Sequence, residues 1–275
     1  MKDGMIIECT REAYDRIEAA NYSNLKAFEH SAALYQHRVT SPHEDCDAFV
    51  FGRLVHALTL EPETVDQRWV VWDGKVRRGK EWEQFQADHA GCEIMRGADF
   101  DPAANLANAV RTHPVASQWL AKFAAEVTVV WTDLETGIKC KCRLDGINTD
   151  LAFDLKTTVD SSDRAMSSAM LRYSYHAQAA MYLDALAAAG QRRSQYGLIA
   201  AEKAAPHKVR CYVLSDAAIE AGRDRYRGWL RALAECRARD EWPAWLPGED
   251  SVSELDLPAY AYDADDDFEL QEAAE

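Results

Sequence analysis

Nowhere does the sequence hold a run near the roughly 18 consecutive apolar residues that a membrane-spanning helix needs, so a transmembrane protein is not expected. The opening Met1-Lys-Asp-Gly-Met-Ile-Ile-Glu8 has no extended apolar core of the signal-peptide kind. Cysteine is odd in number and lacks tight pairing. Apart from Cys140-Lys-Cys142, none of the seven thiols stands near enough to another for a zinc or cluster motif. Reduced thiols and a cytoplasmic home are therefore expected. Internal repeats are lacking, and no Lys or Arg occurs from position 249 onward.

What is present is the composition of a soluble globular protein, 48% hydrophobic and 28% charged over 275 residues. A net charge of -15 argues against a protein that coats DNA, until the charge is mapped. Residues 249–275 hold eleven Asp and Glu, which leaves 35 acidic against 31 basic residues in 1–248, net -4. A near-balanced folded body over 1–248 and a separate acidic tail over 249–275 are expected. Such a body can carry a confined basic channel.

Asn21-Tyr-Ser-Asn-Leu-Lys-Ala-Phe28 reads as the opening of an early helix with Ser23 as its cap. Residues 46–60 read as a buried helix, and Trp69–Trp72 as a short strand before a basic patch of Lys75, Arg77, Arg78 and Lys80. Helices are expected at about 80–96 and 103–123, the second interrupted at Pro114. Three strands follow, opening at Glu126, Ile138 and Leu151. One long helix over 163–189 should end at Gly190, with strands from Tyr196 and Val209 and a last helix capped at Ser215. This order gives an α/β fold: a central mixed sheet flanked by helices, with an N-terminal helical region.

Within that frame Leu151-Ala-Phe-Asp-Leu-Lys-Thr157 carries the chemistry. Strand alternation puts Asp154 and Lys156 on one face and Phe153 and Leu155 on the other. Asp145 ends the preceding strand in Arg143-Leu-Asp-Gly146. Two carboxylates on adjoining strands are hard oxygen ligands suited to Mg²⁺, with Mn²⁺ as a substitute. Lys156 beside them can position a water, help deprotonate it, or stabilise charge growing on phosphorus. His56, in Gly52-Arg-Leu-Val-His56, can add a metal ligand or meet the scissile phosphate. Gln178 and Tyr182 share a helix face with Tyr175 and can orient the lysine or a phosphate. Glu126, which opens the first strand of the group, is a candidate catalytic or metal-site residue.

This ordered series resembles the PD-(D/E)xK nuclease superfamily in its RecB-type form. The wider text over about residues 20–246 is similar to RecE-type exonucleases of phage origin. Tyr22-Ser-Asn-Leu-Lys26, Trp131 through Asp145, Tyr175-His-Ala-Gln-Ala-Ala-Met-Tyr182 and Asp240-Glu-Trp-Pro243 carry that likeness. It implies a restriction-endonuclease-like core and a Mg²⁺-dependent exodeoxyribonuclease in the cytoplasm of a bacterial host cell. Such an enzyme digests linear double-stranded DNA 5′ to 3′ and leaves 3′ overhangs for a single-strand annealing protein in recombination. A ring-like homo-tetramer is implied as well. The chain departs from the family's name in having Leu144-Asp145 where Pro-Asp would stand.

Other readings stand beside these. His56 can be a core histidine, Glu126 a solvated strand residue, and Gln178 and Tyr182 a packing face. Cys140 and Cys142 read as buried strand packing, which disfavours the CRISPR-associated adaptation nucleases and their iron–sulfur cysteines. The arginines between Arg223 and Arg239 read as a solvated helix face, and Trp242 and Trp245 as fasteners of the chain end. Arg53, Arg164, Thr157, Tyr175 and Tyr182 are candidate DNA contacts, as are Lys75, Arg77 and Arg78. A nuclease of other polarity, or a non-catalytic DNA-end or partner-binding module on the same fold, are the alternatives in function.

Overall fold

Runs rich in Val, Ile, Cys and Trp between residues 124 and 158 build the centre of a six-stranded sheet, seen in a computed structural model that describes residues 4–41 and 47–244 and positions 252 and 256. Side chains of 47–49 lie outside that description, as do the acidic tail's architecture and Trp245. β1 (Gly4–Ile7), α1 (Arg11–Asp15) and α2 (Tyr22–Leu25) lead into α3 (Ala32–Thr40), α4 (Asp47–Leu60) and α5 (Val65–Arg68). An excursion follows: β2 (Trp69–Trp72), α6 (Lys80–Asp88) and β3 (Glu93–Arg96), with β2 and β3 paired parallel as a separate small sheet. α7 (Gly97–Thr112) and α8 (Ala116–Trp119) return the chain to β4 (Ala124–Thr132), β5 (Lys139–Ile147) and β6 (Leu151–Thr158). Then come α9 (Asp163–Arg172), α10 (Tyr175–Ala188), β7 (Gln195–Glu202), β8 (Val209–Val213) and α11 (Asp216–Arg239).

The strand order is β1-β4-β5-β6-β7-β8. All neighbours are antiparallel except β6 and β7, whose parallel pairing requires the helical crossover α9–α10. The expected mixed sheet is therefore present, with β1 as an edge strand that the residue pattern does not announce. One core lies between the sheet and α10 and α11, around Cys140, Cys142, Leu144, Met181, Leu186 and Leu230. The other lies on the α4 and α7 side, around Leu54, Leu106, Phe153, Leu155 and Ile199. Cys140 and Cys142 are both fully buried, as packing residues.

Several elements differ from expectation for local reasons. Asn21, not Ser23, caps α2, accepting from the Asn24 N–H at 2.9 Å. The helix expected to reach residue 96 stops at Asp88, because Glu93–Arg96 pair with β2. The long helix over 163–189 is two helices. Ser174 between them adopts left-handed φ of 54°, and its hydroxyl is hydrogen-bonded to Glu29 and accepts from Arg225 at 3.1 Å. Gly190 ends α10 at φ of 74°, as expected. The α11 arginines are not simply solvated: Arg223 pairs with Asp184 at 2.8 Å, Arg225 with Glu29 at 3.2 Å, and Arg231 with Glu135. Trp242 stacks on Tyr35 with ring centroids 6.0 Å apart, so the end of the described body is fastened at α3.

α10 is held in place by close approach of α11. A Cβ at Gly222 would sit 2.1 Å from the His176 carbonyl oxygen, against backbone that cannot yield cheaply. Gly222→Ala is expected to destabilise the fold by about 1–3 kcal/mol or more. The check is a lower urea midpoint at unchanged slope.

Candidate active site

The site lies where regular pairing fails. β5 and β6 are paired at Gly146 with Phe153 and at Ile147 with Ala152. One position further along both strands stand Asp145 and Asp154, and there the ladder opens. The Leu155 N–H donates to Asp145 Oδ2 at 2.7 Å instead of to a strand carbonyl. Asp145 thus sits in the fork, held by a backbone group that the separation of the strands releases.

On the other side of β5 the register places Glu126 opposite Asp145, between the pairs Ala125–Gly146 and Val127–Leu144. Glu126 has φ of 51°, a left-handed backbone that costs a non-glycine residue about 1–3 kcal/mol. Its effect can be traced in the cores. Val127 packs on the α10 side and Ala125 on the α4 side, although they are two residues apart. Strict alternation would put both on one face. The kink turns the Glu126 carboxylate toward Asp145 and α4.

α4 supplies His56, whose Nδ1 lies 3.5 Å from Asp145 Oδ2. Ligand atoms of His56, Glu126 and Asp145 all lie within 4.8 Å of one another. Burial lowers the His56 pKa, favouring the neutral imidazole that ligates metals. Burial, and then the neighbouring Asp154 carboxylate, push the Asp145 pKa well above the usual range. Arg143, two residues before Asp145 on the same strand, pairs with Glu126 at 2.5 Å. Arg143 is absent from the residues that the sequence motifs single out, although its period-2 spacing to Asp145 is a signal that could have found it.

Asp154 is nearly fully buried at 1% exposure, and its Oδ2 contacts Lys156 Nζ as an ion pair. Neither Asp154 oxygen has a well-formed hydrogen bond. Lys156 Nζ donates to Gln178 Oε1 at 3.1 Å and lies 4.8 Å from the Tyr175 ring centroid. Burial alone would lower the Lys156 pKa, but the charges of Asp154 and Asp145 outweigh it, and the net shift is upward. Lys156 is thus an ammonium group. Gln178 and Tyr182 stand one turn apart on α10.

Asp145, Asp154, Lys156, His56, Glu126, Gln178 and Tyr175 are therefore brought together, with one rearrangement. The compact three-ligand group is His56, Glu126 and Asp145, while Asp154 turns to Lys156. Tyr182 does not offer a DNA-facing surface. It is buried at 7% exposure against Tyr196, because α10 directs it into the core. Arg53 is half-buried and pairs with Glu93 at 2.6 Å, tying α4 to β3. Thr157 is half-buried at the end of β6, and Arg164 is exposed on α9.

A mixed sheet with an acidic fork, and a lysine two positions beyond its second carboxylate, defines a PD-(D/E)xK fold. The chain belongs to the family described as PDDEXK-like domain of unknown function (DUF3799), whose model matches residues 21–248. Among solved structures, a "putative exonuclease" from Eubacterium rectale is similar, with a TM-score of 0.63 and 14% identity. That match covers 94% of this chain and 99% of that one, a likeness of fold. A second, SSO0001, is 12% identical over 64% of this chain and 85% of that chain, and its TM-score of 0.27 carries no weight. No curated protein matches the sequence.

Proposed function

We propose that this chain is a divalent-metal-dependent exodeoxyribonuclease acting on linear double-stranded DNA. The observation that carries the reading is the convergence of three ligand-bearing side chains beside a charged lysine on one open fork of the sheet. The donor set fits a divalent cation. The carboxylates of Glu126 and Asp145 are hard oxygen ligands of the kind that Mg²⁺ and Mn²⁺ take, with the neutral His56 imidazole as a further metal-ligating group, and the unfavourable burial of negative charge at Asp145 is what a bound cation would offset. His56, Glu126 and Asp145 would hold the ion. When bound, it supplies Lewis acidity toward a phosphate oxygen and makes a coordinated water more acidic.

The chain's own groups do the rest. Lys156, held as ammonium by Asp154, presents its charge where negative charge grows on the phosphoryl oxygens, and it steers the attacking water by hydrogen bonding. Gln178 fixes the direction of the Lys156 amine through Oε1. Asp154 keeps the lysine protonated, which makes Lys156 a donor and a charge partner, not a base.

The sequence resemblance supports the finer reading: 5′ to 3′ polarity, 3′ overhangs handed to an annealing protein, Mg²⁺ as the working ion, and a ring-like homo-oligomer around DNA. The charge distribution along the sequence supports the division into a catalytic body over 1–248 and an acidic tail over 249–275. Among the described residues no helix is long and apolar enough to cross a membrane. Duplex labelled at one 5′ end, compared with duplex labelled at a 3′ end, tests polarity. Immediate release of 5′ label with retention of 3′ label in Mg²⁺ is expected. The reverse order would contradict the polarity.

A further inference from the structure

The turn between α9 and α10 presents a second group of charges at the mouth of the site. Tyr173, 43% exposed, stacks on Tyr175 with centroids 5.5 Å apart and planes at 29°. Lys26 Nζ lies 5.2 Å from the Tyr173 centroid, and the Arg172 guanidinium carbon 5.5 Å from it. On the inner side the same stack reaches Lys156 over Tyr175. Two aromatic rings thus connect the catalytic lysine to two outer cations, an arrangement in which each ring face favours positive charge.

The turn is built to stay where it is. The Tyr22 hydroxyl donates to the Tyr173 carbonyl, and Lys26 Nζ donates to the Arg172 carbonyl at 3.4 Å. Ser174, fully buried, is gripped by Glu29 and Arg225. Glu29, an acid near Lys26, is engaged by Arg225 at 3.2 Å. Among the described residues, Lys26, Arg38 and Arg172 form no ion pair. Burial lowers the Lys26 pKa; Glu29 opposes the shift, and the positive charges of Arg38, Arg172 and Lys156 add to it. Arg38, Arg172 and Lys156 repel the Lys26 charge, and an anionic ligand bound among them would relieve that repulsion.

The geometry points to Lys26 and Arg172, braced on Tyr173, as a phosphate clamp for the nucleic-acid strand that enters at Lys156. Arg172 is exposed, so its planar fork of donors can meet phosphate oxygens, while half-buried Lys26 adds a point charge. Arg38 lies within electrostatic reach of the same place. The shared chemistry is a phosphate, which DNA offers both as internal phosphodiesters and as a terminal 5′ monoester. This inference rests on the nuclease reading for its ligand.

The test uses the full chain and a linear duplex with a short 3′ overhang, prepared with 5′-phosphate and with 5′-hydroxyl ends. Binding is followed by fluorescence anisotropy in EDTA across a salt series, and nucleotide release is measured separately in Mg²⁺. The Lys26→Ala/Arg172→Ala double variant is expected to bind at least about tenfold more weakly. Its dependence of log K on log salt should be shallower by roughly 0.7–0.9 for each phosphate that the variant no longer neutralises. The charge-keeping Lys26→Arg/Arg172→Lys variant should retain most of the affinity, which separates missing charge from failed folding. Equal weakening on both ends assigns the clamp to internal phosphodiesters, and weakening confined to phosphorylated ends assigns it to the terminal monoester. Unchanged affinity and salt slope in the double alanine variant, with wild type releasing nucleotides in Mg²⁺, would overturn the clamp and leave the nuclease reading standing. A wild type that neither binds nor cleaves DNA would overturn both.

Discussion

Lys156→Ala is expected to lower the turnover of DNA cleavage by roughly 10²–10³-fold, the size of effect seen when a donor aimed at developing charge is removed. DNA affinity should change little, because most of it comes from other phosphate contacts. The same substitution has a structural cost. Asp154, 1% exposed, loses its ion-pair partner, and stranding one member of a buried pair typically costs about 3–5 kcal/mol. Activity is therefore to be compared at a temperature where circular dichroism shows the variant folded. Lys156→Arg keeps the charge but not the compact ammonium geometry, and should fold better than Lys156→Ala while remaining strongly impaired. A folded Lys156→Ala variant that cleaves at the wild-type rate would remove Lys156 from the chemistry.

Asp145→Asn should give the second large effect, with opposite signs in the presence and absence of metal. The folded-state pKa of Asp145 lies above its unfolded value, owing first to burial and then to Asp154. Its contribution to stability is fully present below the unfolded pKa and is lost as pH rises through the folded pKa. At neutral pH in EDTA, Asp145→Asn removes that penalty and keeps an oxygen to accept from the Leu155 N–H. The variant should melt at or above the wild-type temperature there. A divalent ion reverses the order. At a concentration one hundred times Kd it stabilises wild type by about 2.7 kcal/mol, worth about 5–10 °C in a chain of this size. Asp145→Asn should show little of that shift and almost no cleavage. Equal metal-induced shifts in the two proteins, by differential scanning fluorimetry, would show that Asp145 is not a ligand.

Much of this site is legible in the sequence because its chemistry follows strand alternation and helix periodicity. Asp154 and Lys156 share a face by parity, and Gln178 reaches Lys156 because α10 packs along the sheet in the expected order. What escapes depends on single backbone torsions. Glu126 is a candidate from the sequence, but the positive φ that moves its carboxylate into the ligand group is not legible there, since no composition rule announces a left-handed glutamate inside a strand. Ser174 does the same between α9 and α10, splitting a continuous helical pattern and pushing Arg172 and Tyr173 outward. The i, i+4 spacing of Tyr182 to Gln178 suggests a DNA contact, yet that spacing is shared by site and core. Tertiary packing decides for the core. Asn21 wins over Ser23 as a cap because the first turn starts two residues earlier than the apolar pattern indicates.

The most direct measurement is acid-soluble nucleotide release from linear duplex DNA by the purified chain, in Mg²⁺ or Mn²⁺ and in EDTA, with Lys156→Ala beside it. Release that requires the metal and collapses in the variant is the expected result. A folded wild-type protein that frees no nucleotides with either ion, or that frees them equally in EDTA, would contradict the assignment of His56, Glu126, Asp145 and Lys156 to phosphodiester hydrolysis.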